Sequence, residues 1–197
     1  MAETHTNWHV LTGPAGLGRR ELGEALSNYG YTVFPDRRVQ KMLLSSEESV
    51  KRGYTNPYHL SLDTLREQLS FEQTRMRSRY QETLVLNGGL ADSIAYLDRE
   101  SKRRGEMASP DDDQILQAAY NHLLDYRYRT VFLLDKRLKG VTPQEVVSPA
   151  LQRMLAEEIA VVYRSLGYTV MRLHHAETVD EAAHYIFNQI AMHQRIT

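Results

Sequence analysis

The sequence predicts an α/β fold with a mainly parallel sheet. Three observations carry this expectation. Short apolar runs alternate with segments of helical period along the whole chain. A glycine-rich turn, Thr12-Gly13-Pro14-Ala15-Gly16-Leu17-Gly18, joins the first such run to the first helix. One junction also occurs twice: Tyr29-Gly30-Tyr31-Thr32-Val33 returns as Leu166-Gly167-Tyr168-Thr169-Val170. In each, a helix ends at a glycine, where a positive φ costs little, and the chain passes directly into a strand. Strands separated by helices are the grammar of parallel sheets.

The elements follow in order. Residues 8–11 form a strand that stops at Thr12-Gly13-Pro14. Leu22, Ala25, Leu26 and Tyr29 then fall at i, i+3, i+4 and i+7, one face of a helix that ends at Gly30. Residues 31–34 make a second strand, closed by Pro35. Residues 36–52 read as a helix with Val39, Met42 and Leu43 on one side, and residues 53–59 as a loop containing Asn56-Pro57. Leu62, Leu65, Leu69, Met76 and Tyr80 mark a long helix over residues 61–82. Residues 84–86 are a third strand, closed by Gly88-Gly89, and residues 90–103 a helix with basic residues in its last turn. Ser109 caps the next helix, with Pro110 at its first position and Asp111, Asp112 and Asp113 in its positive first turn. That helix runs to about Tyr126. Residues 130–135 are a fourth strand, residues 136–147 a loop, and Ser148-Pro149 opens a helix that reaches Arg164. Residues 169–173 are the fifth strand, and the capping box Thr178-x-x-Glu181 opens a last helix to about His193. The domain expectation is a flexible start over residues 1–7, one domain over 8–193, and a tail over 194–197.

Composition narrows the function classes. A chain of 197 residues and 22.7 kDa buries roughly 70% of its unfolded surface, so one core suffices without staples. It has no cysteine, which excludes disulfide scaffolds, zinc ribbons and thiol nucleophiles. With 24 basic and 25 acidic residues, it has no field that draws nucleic acid or anionic lipid. No apolar run approaches the ~20 residues of a membrane span. Residues 1–7 carry no apolar signal-peptide core, so a cytoplasmic protein is expected. His174 and His175 alternate to opposite faces of a strand, and His5 lies in and His9 after the flexible start, so no histidine metal site is expected. Arg75, Arg77 and Arg79 read as a solvated helix face, and Tyr120, Tyr126 and Tyr128 as core and rim packing. The basic residues are 19 Arg against 5 Lys, and Arg offers a planar fork suited to phosphate.

Ligands of parallel α/β sheets bind beyond the carboxyl ends of the strands. That rim holds the 12–18 loop, Pro35-Asp36, Asn87-Gly88-Gly89 and Asp135. Gly13 and Gly18 have the spacing of the phosphate-binding loop G-x-x-x-x-G-K-[ST], and Gly16 adds flexibility. Backbone N–H groups in such a loop wrap an anion at a helix N-terminus. The lysine of the pattern is Arg19 here, and the magnesium-binding hydroxyl is Arg20.

With these residues in place, the chain resembles the P-loop NTPases of the small kinase-like AAA group that includes the ATPase domain of NadR-type nicotinamide riboside kinases. The resemblance runs through the loop, through Gly30-Tyr31-Thr32-Val33-Phe34-Pro35-Asp36, and through the segment Asn87-Gly88-Gly89-Leu90-Ala91-Asp92 up to Tyr96. It continues through strand residues 131–134, an arginine-bearing lid over 136–153, and residues 163–168. It implies a three-layer fold with five parallel strands in the order 2-3-1-4-5. It implies a phosphate or nucleotide site at Gly13, Gly16, Leu17, Gly18, Arg19 and Arg20. Asp92 and Asp36 would be the candidate bases, and Arg137 and Arg153 the lid arginines. ATP or GTP is the implied cofactor.

Three positions depart from the family's pattern: Arg19, Arg20, and Asn87 where an aspartate would hold Mg²⁺ through water. Magnesium wants hard, usually anionic oxygens, and Asn is neutral. The expectation is therefore a degenerate, kinase-like pseudoenzyme. It would act through a protein partner or bind a phosphorylated small molecule, with Mg²⁺ not held in the usual geometry and no metal site. The alternative is an active nucleotide-binding kinase or NTPase that uses Arg19 and Arg20 instead, because phosphoryl transfer is mostly positioning and charge stabilisation. Nucleic acid and membrane are not expected partners.

Overall fold

The five strands expected from the sequence form one sheet. The structure, a computed structural model, describes residues 4–35, 57–79, 81–104, 109–142 and 148–194. Its elements are β1 (Thr4–His5), β2 (Trp8–Thr12), α1 (Arg19–Asn28), β3 (Thr32–Phe34), α2 (Pro57–Arg79) and β4 (Leu84–Asn87). There follow α3 (Leu90–Arg104), α4 (Pro110–Asp125), β5 (Tyr126–Arg127), β6 (Thr130–Leu133), α5 (Pro149–Ser165), β7 (Val170–Arg172) and α6 (Val179–Gln194). The sheet order is β3-β4-β2-β6-β7, and every pairing is parallel. Counting these five strands alone, that is the order 2-3-1-4-5. Val10 lies opposite Leu86 on one side and Val131 on the other.

Residues of β2, β4 and β6 are all buried, which is why they read as unbroken apolar runs rather than as alternating ones. The strand pleat sorts them into two cores. Trp8, Val10, Leu84, Leu86 and Val131 pack with Leu62, Leu65 and Leu69 of α2, Ile94 of α3, Leu123 of α4 and Ile159 of α5. Leu11, Val85 and Phe132 pack on the other face with Leu22 and Leu26 of α1 and Ile186 and Ile190 of α6. Each fully buried leucine contributes about 1.5–3 kcal/mol, so three layers are held without staples. Among the described residues, no helix is long and apolar enough to cross a membrane.

Local signals explain the helix ends. Gly30 and Gly167 take φ of +90° and +79°, as expected of glycines that turn a helix into a strand. Ser109 and Asp112 form a reciprocal capping box on α4, and Thr178 and Glu181 do so on α6.

Three expectations need correction or fall outside. Residues 1–7 are not uniformly a flexible start: β1 pairs with β5, and buried Thr6 donates through both N–H and Oγ1 to the Arg127 carbonyl. Two-residue strands carry no readable alternation, so sequence patterning missed both. His9 is in the central strand, where the strand expected over residues 8–11 puts it, and is 2% exposed. Burial, with His193 and Arg129 nearby, pushes its imidazole down to about 3. Pro57 to His59 belong to α2 rather than to the preceding loop, because proline suits a helix start. The helix expected over residues 36–52, and Asp36 with it, lies outside the described residues.

Candidate functional site

The loop after β2 is built by three glycines. Gly13, Gly16 and Gly18 take φ of +136°, +80° and +109°, a region that side chains rarely adopt. At Gly13 the space is closed as well, since a Cβ would collide with the Leu134 carbonyl oxygen. At Gly18 a Cβ would lie 2.8 Å from Val141 Cγ2, so residues 138–141 lie across this end of the loop. The Leu138 N–H donates to the Leu17 carbonyl at 3.1 Å. The Leu17 side chain is core, packed with Leu11, Leu22 and Leu138, so this residue offers the loop only its backbone.

Arg19 opens α1 and is 7% exposed. Its neighbour turns the other way. Arg20 faces solvent and pairs with Glu21 at 3.2 Å and Glu24 at 3.8 Å along α1. Helical geometry alone separates consecutive side chains by about 100°. At the end of β4, Asn87 donates through Nδ2 to the Arg19 carbonyl at 3.1 Å. Its Oδ1 is buried with no hydrogen-bond partner among the described residues.

Asp92 lies in the first turn of α3 and is 6% exposed. Thr12 donates its hydroxyl to Asp92 Oδ1. The Gly89 N–H and the Tyr163 hydroxyl donate to Oδ2 at 2.9 and 2.8 Å. Burial pushes the carboxyl above its ordinary value. The Arg19 cation and the three donors act in the opposite sense and do not overcome burial.

A second buried carboxylate lies behind the first. The Tyr128 hydroxyl donates to Glu72 Oε2 at 2.6 Å and accepts from the Leu90 N–H at 3.2 Å. Gln68 donates to Glu72 Oε1 at 2.7 Å, and His122 Nε2 stands 3.7 Å from Oε2. Burial first, then the facing carboxylates, push both Tyr128 and Tyr163 well above the usual phenol value. The two hydroxyls converge on Gly89, where a Cβ would lie 2.6 Å from Tyr163 Oη and 3.3 Å from Tyr128 Oη.

The lid side is partly described. Arg137 and Arg153 are both exposed. Arg172 of β7 joins Asp135 at 3.0 Å to Glu157 of α5 at 2.7 Å. Gln152 of α5 donates to the Ala15 carbonyl at 3.1 Å, tying this helix to the loop. Lys139 pairs with Glu177.

Thus the structure brings Gly13, Gly16, Gly18, Arg19, Asn87 and Asp92 together, and leaves Arg20, Arg137 and Arg153 on the surface. Thr12, Tyr163, Tyr128 and Glu72 were missed as members of this cluster. The signal for Tyr163 was present in the helix-to-strand motif of residues 163–168, and Tyr128 was legible only as packing. Arg75, expected on a solvated face, stacks its guanidinium 5.4 Å over the Phe34 ring.

A five-stranded parallel sheet in this order, with a glycine loop between its central strand and the first helix, can be compared with solved structures. Deoxyadenosine kinase from M. mycoides, solved with dCMP and a flexible dCDP as products, superposes with a TM-score of 0.64 at 11% identity. The match covers 94% of this chain and 99% of that one. The same kinase with bound dATP gives 0.63 at 12% identity, over 93% and 99%. The NadR protein in complex with NAD and AMP-PNP gives 0.62 at 14% identity, over 92% of this chain and 48% of that one. The fold is that of the P-loop kinases. This agrees with the resemblance read from the motifs. No protein-family model and no curated relative matches the sequence.

Proposed function

We propose that this P-loop kinase-like chain holds a phosphate-bearing ligand in its glycine loop without normal Mg²⁺-dependent turnover. One observation carries the reading. Asp92 is inside the core with both carboxylate oxygens already engaged by Thr12, Gly89 and Tyr163. A general base must reach the proton it removes, and this carboxylate faces its own supports instead. Asn87 is neutral and fixes the α1 backbone through Nδ2.

The residues around the loop do not fit Mg²⁺ in the usual geometry. The position of the hydroxyl ligand is Arg20, whose side chain is in solvent. The Thr12 hydroxyl is turned toward Asp92. What the loop retains is a backbone nest with three positive-φ glycines and one buried arginine at its end. Such a nest takes phosphate oxygens through N–H groups and needs no metal. The nucleotides bound to the solved neighbours make a nucleoside phosphate the first ligand to try.

Calorimetric titration with ATP, GTP and ADP, with and without Mg²⁺, tests this. The expected result is binding that is indifferent to Mg²⁺ and lost in Arg19→Ala. Mg²⁺-dependent binding tighter than ~100 μM, accompanied by phosphoryl transfer, would instead establish the active-kinase reading.

A further inference from the structure

A cavity of about 180 Å³ opens between α2, α4 and β5. Gln73 of α2, Ala118, Asn121, His122 and Asp125 of α4, and Tyr126 of β5 line it. It lies away from the glycine loop. Tyr126 leads into β6 at Thr130, whereas the loop follows Thr12, which sits opposite Leu133 at the other end of that strand. Asp125 is the last residue of α4. A helix presents its negative end there, where a cation is favoured and an acid is not. Among the described residues, the Asp125 carboxylate has neither an ion pair nor a hydrogen bond. The His122 ring lies one turn back, buried, with its centroid 5.1 Å from that of Tyr126. Its Nε2 has no hydrogen-bond partner among the described residues and stands 3.7 Å from Oε2 of the fully buried Glu72. The hydrogen bonds described to Glu72 come from the neutral donors Gln68 and Tyr128. The wall thus carries one unpaired carboxylate, has a second behind His122, and includes no lysine or arginine.

We propose that this cavity is a second ligand site, which binds a small primary amine in its protonated form. An ammonium group offers three donors and a compact charge. It pairs the Asp125 carboxylate, meets the negative end of α4, and can donate to the Gln73 side-chain carbonyl as well. The alkyl chain rests on Ala118 and the Tyr126 ring. The volume suits such a ligand, since an apolar cavity of ~150 Å³ holds a benzene ring. An anion would face Asp125 and the helix end at once. A neutral polar molecule would leave the carboxylate unpaired. The site shares no residue with the glycine loop, so its occupancy can be measured whether or not the loop takes phosphate.

The experiment follows backbone amide shifts of the labelled full chain by NMR, at neutral pH and low salt. The probe is n-butylamine, and n-butanol is its neutral counterpart. An alkylammonium keeps its proton at neutral pH, as a lysine head does. The expected result is saturable shifts across residues 118–126 at low-millimolar amine, with the alcohol at least tenfold weaker. Asp125→Asn should lower amine affinity at least tenfold. Asp113→Asn, at the exposed start of the same helix, should leave it unchanged. Each variant is checked for fold by circular dichroism. If Asp125→Asn does not fold, Ala118→Leu, which places a side chain in the cavity, should abolish the shifts and decides the matter. Equal affinity for amine and alcohol overturns the proposal, as does amine binding untouched by a folded Asp125→Asn or Ala118→Leu. Shifts that do not saturate by ~50 mM amine overturn it too.

Discussion

Gly89→Ala addresses the packing of the two tyrosine hydroxyls directly. Gly89 has no positive φ, so the position is set by space rather than by backbone freedom. An added Cβ would lie 2.6 Å from Tyr163 Oη and 3.2 Å from Val10 Cγ1. Val10 is fully buried in the central strand and has nowhere to go. Ordinary contact begins near 3.4 Å, so the tyrosine hydroxyl must withdraw by roughly 0.8 Å to restore normal packing. That displaces the hydroxyl from the position in which it makes its 2.8 Å bond to Asp92 and weakens the bond. A hydrogen bond to a charged group is worth about 1.5–3 kcal/mol. Overpacking of the core adds about 1–3 kcal/mol. The expected cost is about 3–5 kcal/mol, a melting temperature lower by about 10 °C for a domain of this size. Urea unfolding of wild type, Gly89→Ala, Tyr163→Phe and the double variant reads the contact. Without the hydroxyl, the alanine has room, so Gly89→Ala should cost at least about 1 kcal/mol less in the Tyr163→Phe background. Strict additivity of the two substitutions would refute the geometry.

Other outcomes are open to measurement. Gly13→Ala meets both a φ of +136° and the Leu134 carbonyl, and should cost more than about 3 kcal/mol; a melt within a few degrees of wild type would contradict this. His9 stays neutral until pH falls to about 3, while an unfolded histidine charges near 6.5. Unfolding therefore takes up a proton between these values, and stability falls with pH by up to about 1.4 kcal/mol per unit across that window. An NMR titration of His9 with a midpoint near 6.5 would show the assignment to be wrong. At Asp112 burial acts upward, but hydrogen bonds from Tyr58 and Ser109 and the Arg66 charge bring the carboxyl below its usual 3.8. This stabilisation is present above 3.8 and lost as pH falls through the lower folded value. Asp112→Asn should flatten that acid limb, and unchanged acid unfolding would count against it. Ser109→Ala removes the side-chain acceptor of the α4 cap and should cost about 1 kcal/mol in urea unfolding.

Much of the architecture was legible because it rests on local chemistry. The glycines at 30 and 167, the caps at Ser109 and Thr178, and the apolar runs at 8–11, 84–86 and 130–133 each state their conformation within a few residues. The site was legible in part. The spacing of Gly13 and Gly18 marked the loop proposed to hold a phosphate, and the departures from the family pattern at Arg19, Arg20 and Asn87 were plain in the sequence. What they had become was not visible. Arg19 and Arg20 are the same residue type in adjacent positions, yet one is 7% exposed and the other pairs in solvent with Glu21. Only the direction of α1 against β4 separates them.

The sequence by itself determined the order of the five sheet strands, their parallel pairing, the glycine loop and the absence of the lysine and hydroxyl from it. These follow from periodicity, caps and turn residues, which act over a handful of positions. Tertiary structure alone decided the fate of Asp92. Its partners Thr12 and Tyr163 stand 80 and 71 residues away along the chain, and Glu72 and Tyr128 are 56 residues apart. A carboxylate's chemistry depends on whether water, a cation or a phenol faces it. Those neighbours are chosen by how helices lie on a sheet, and no local spacing encodes them.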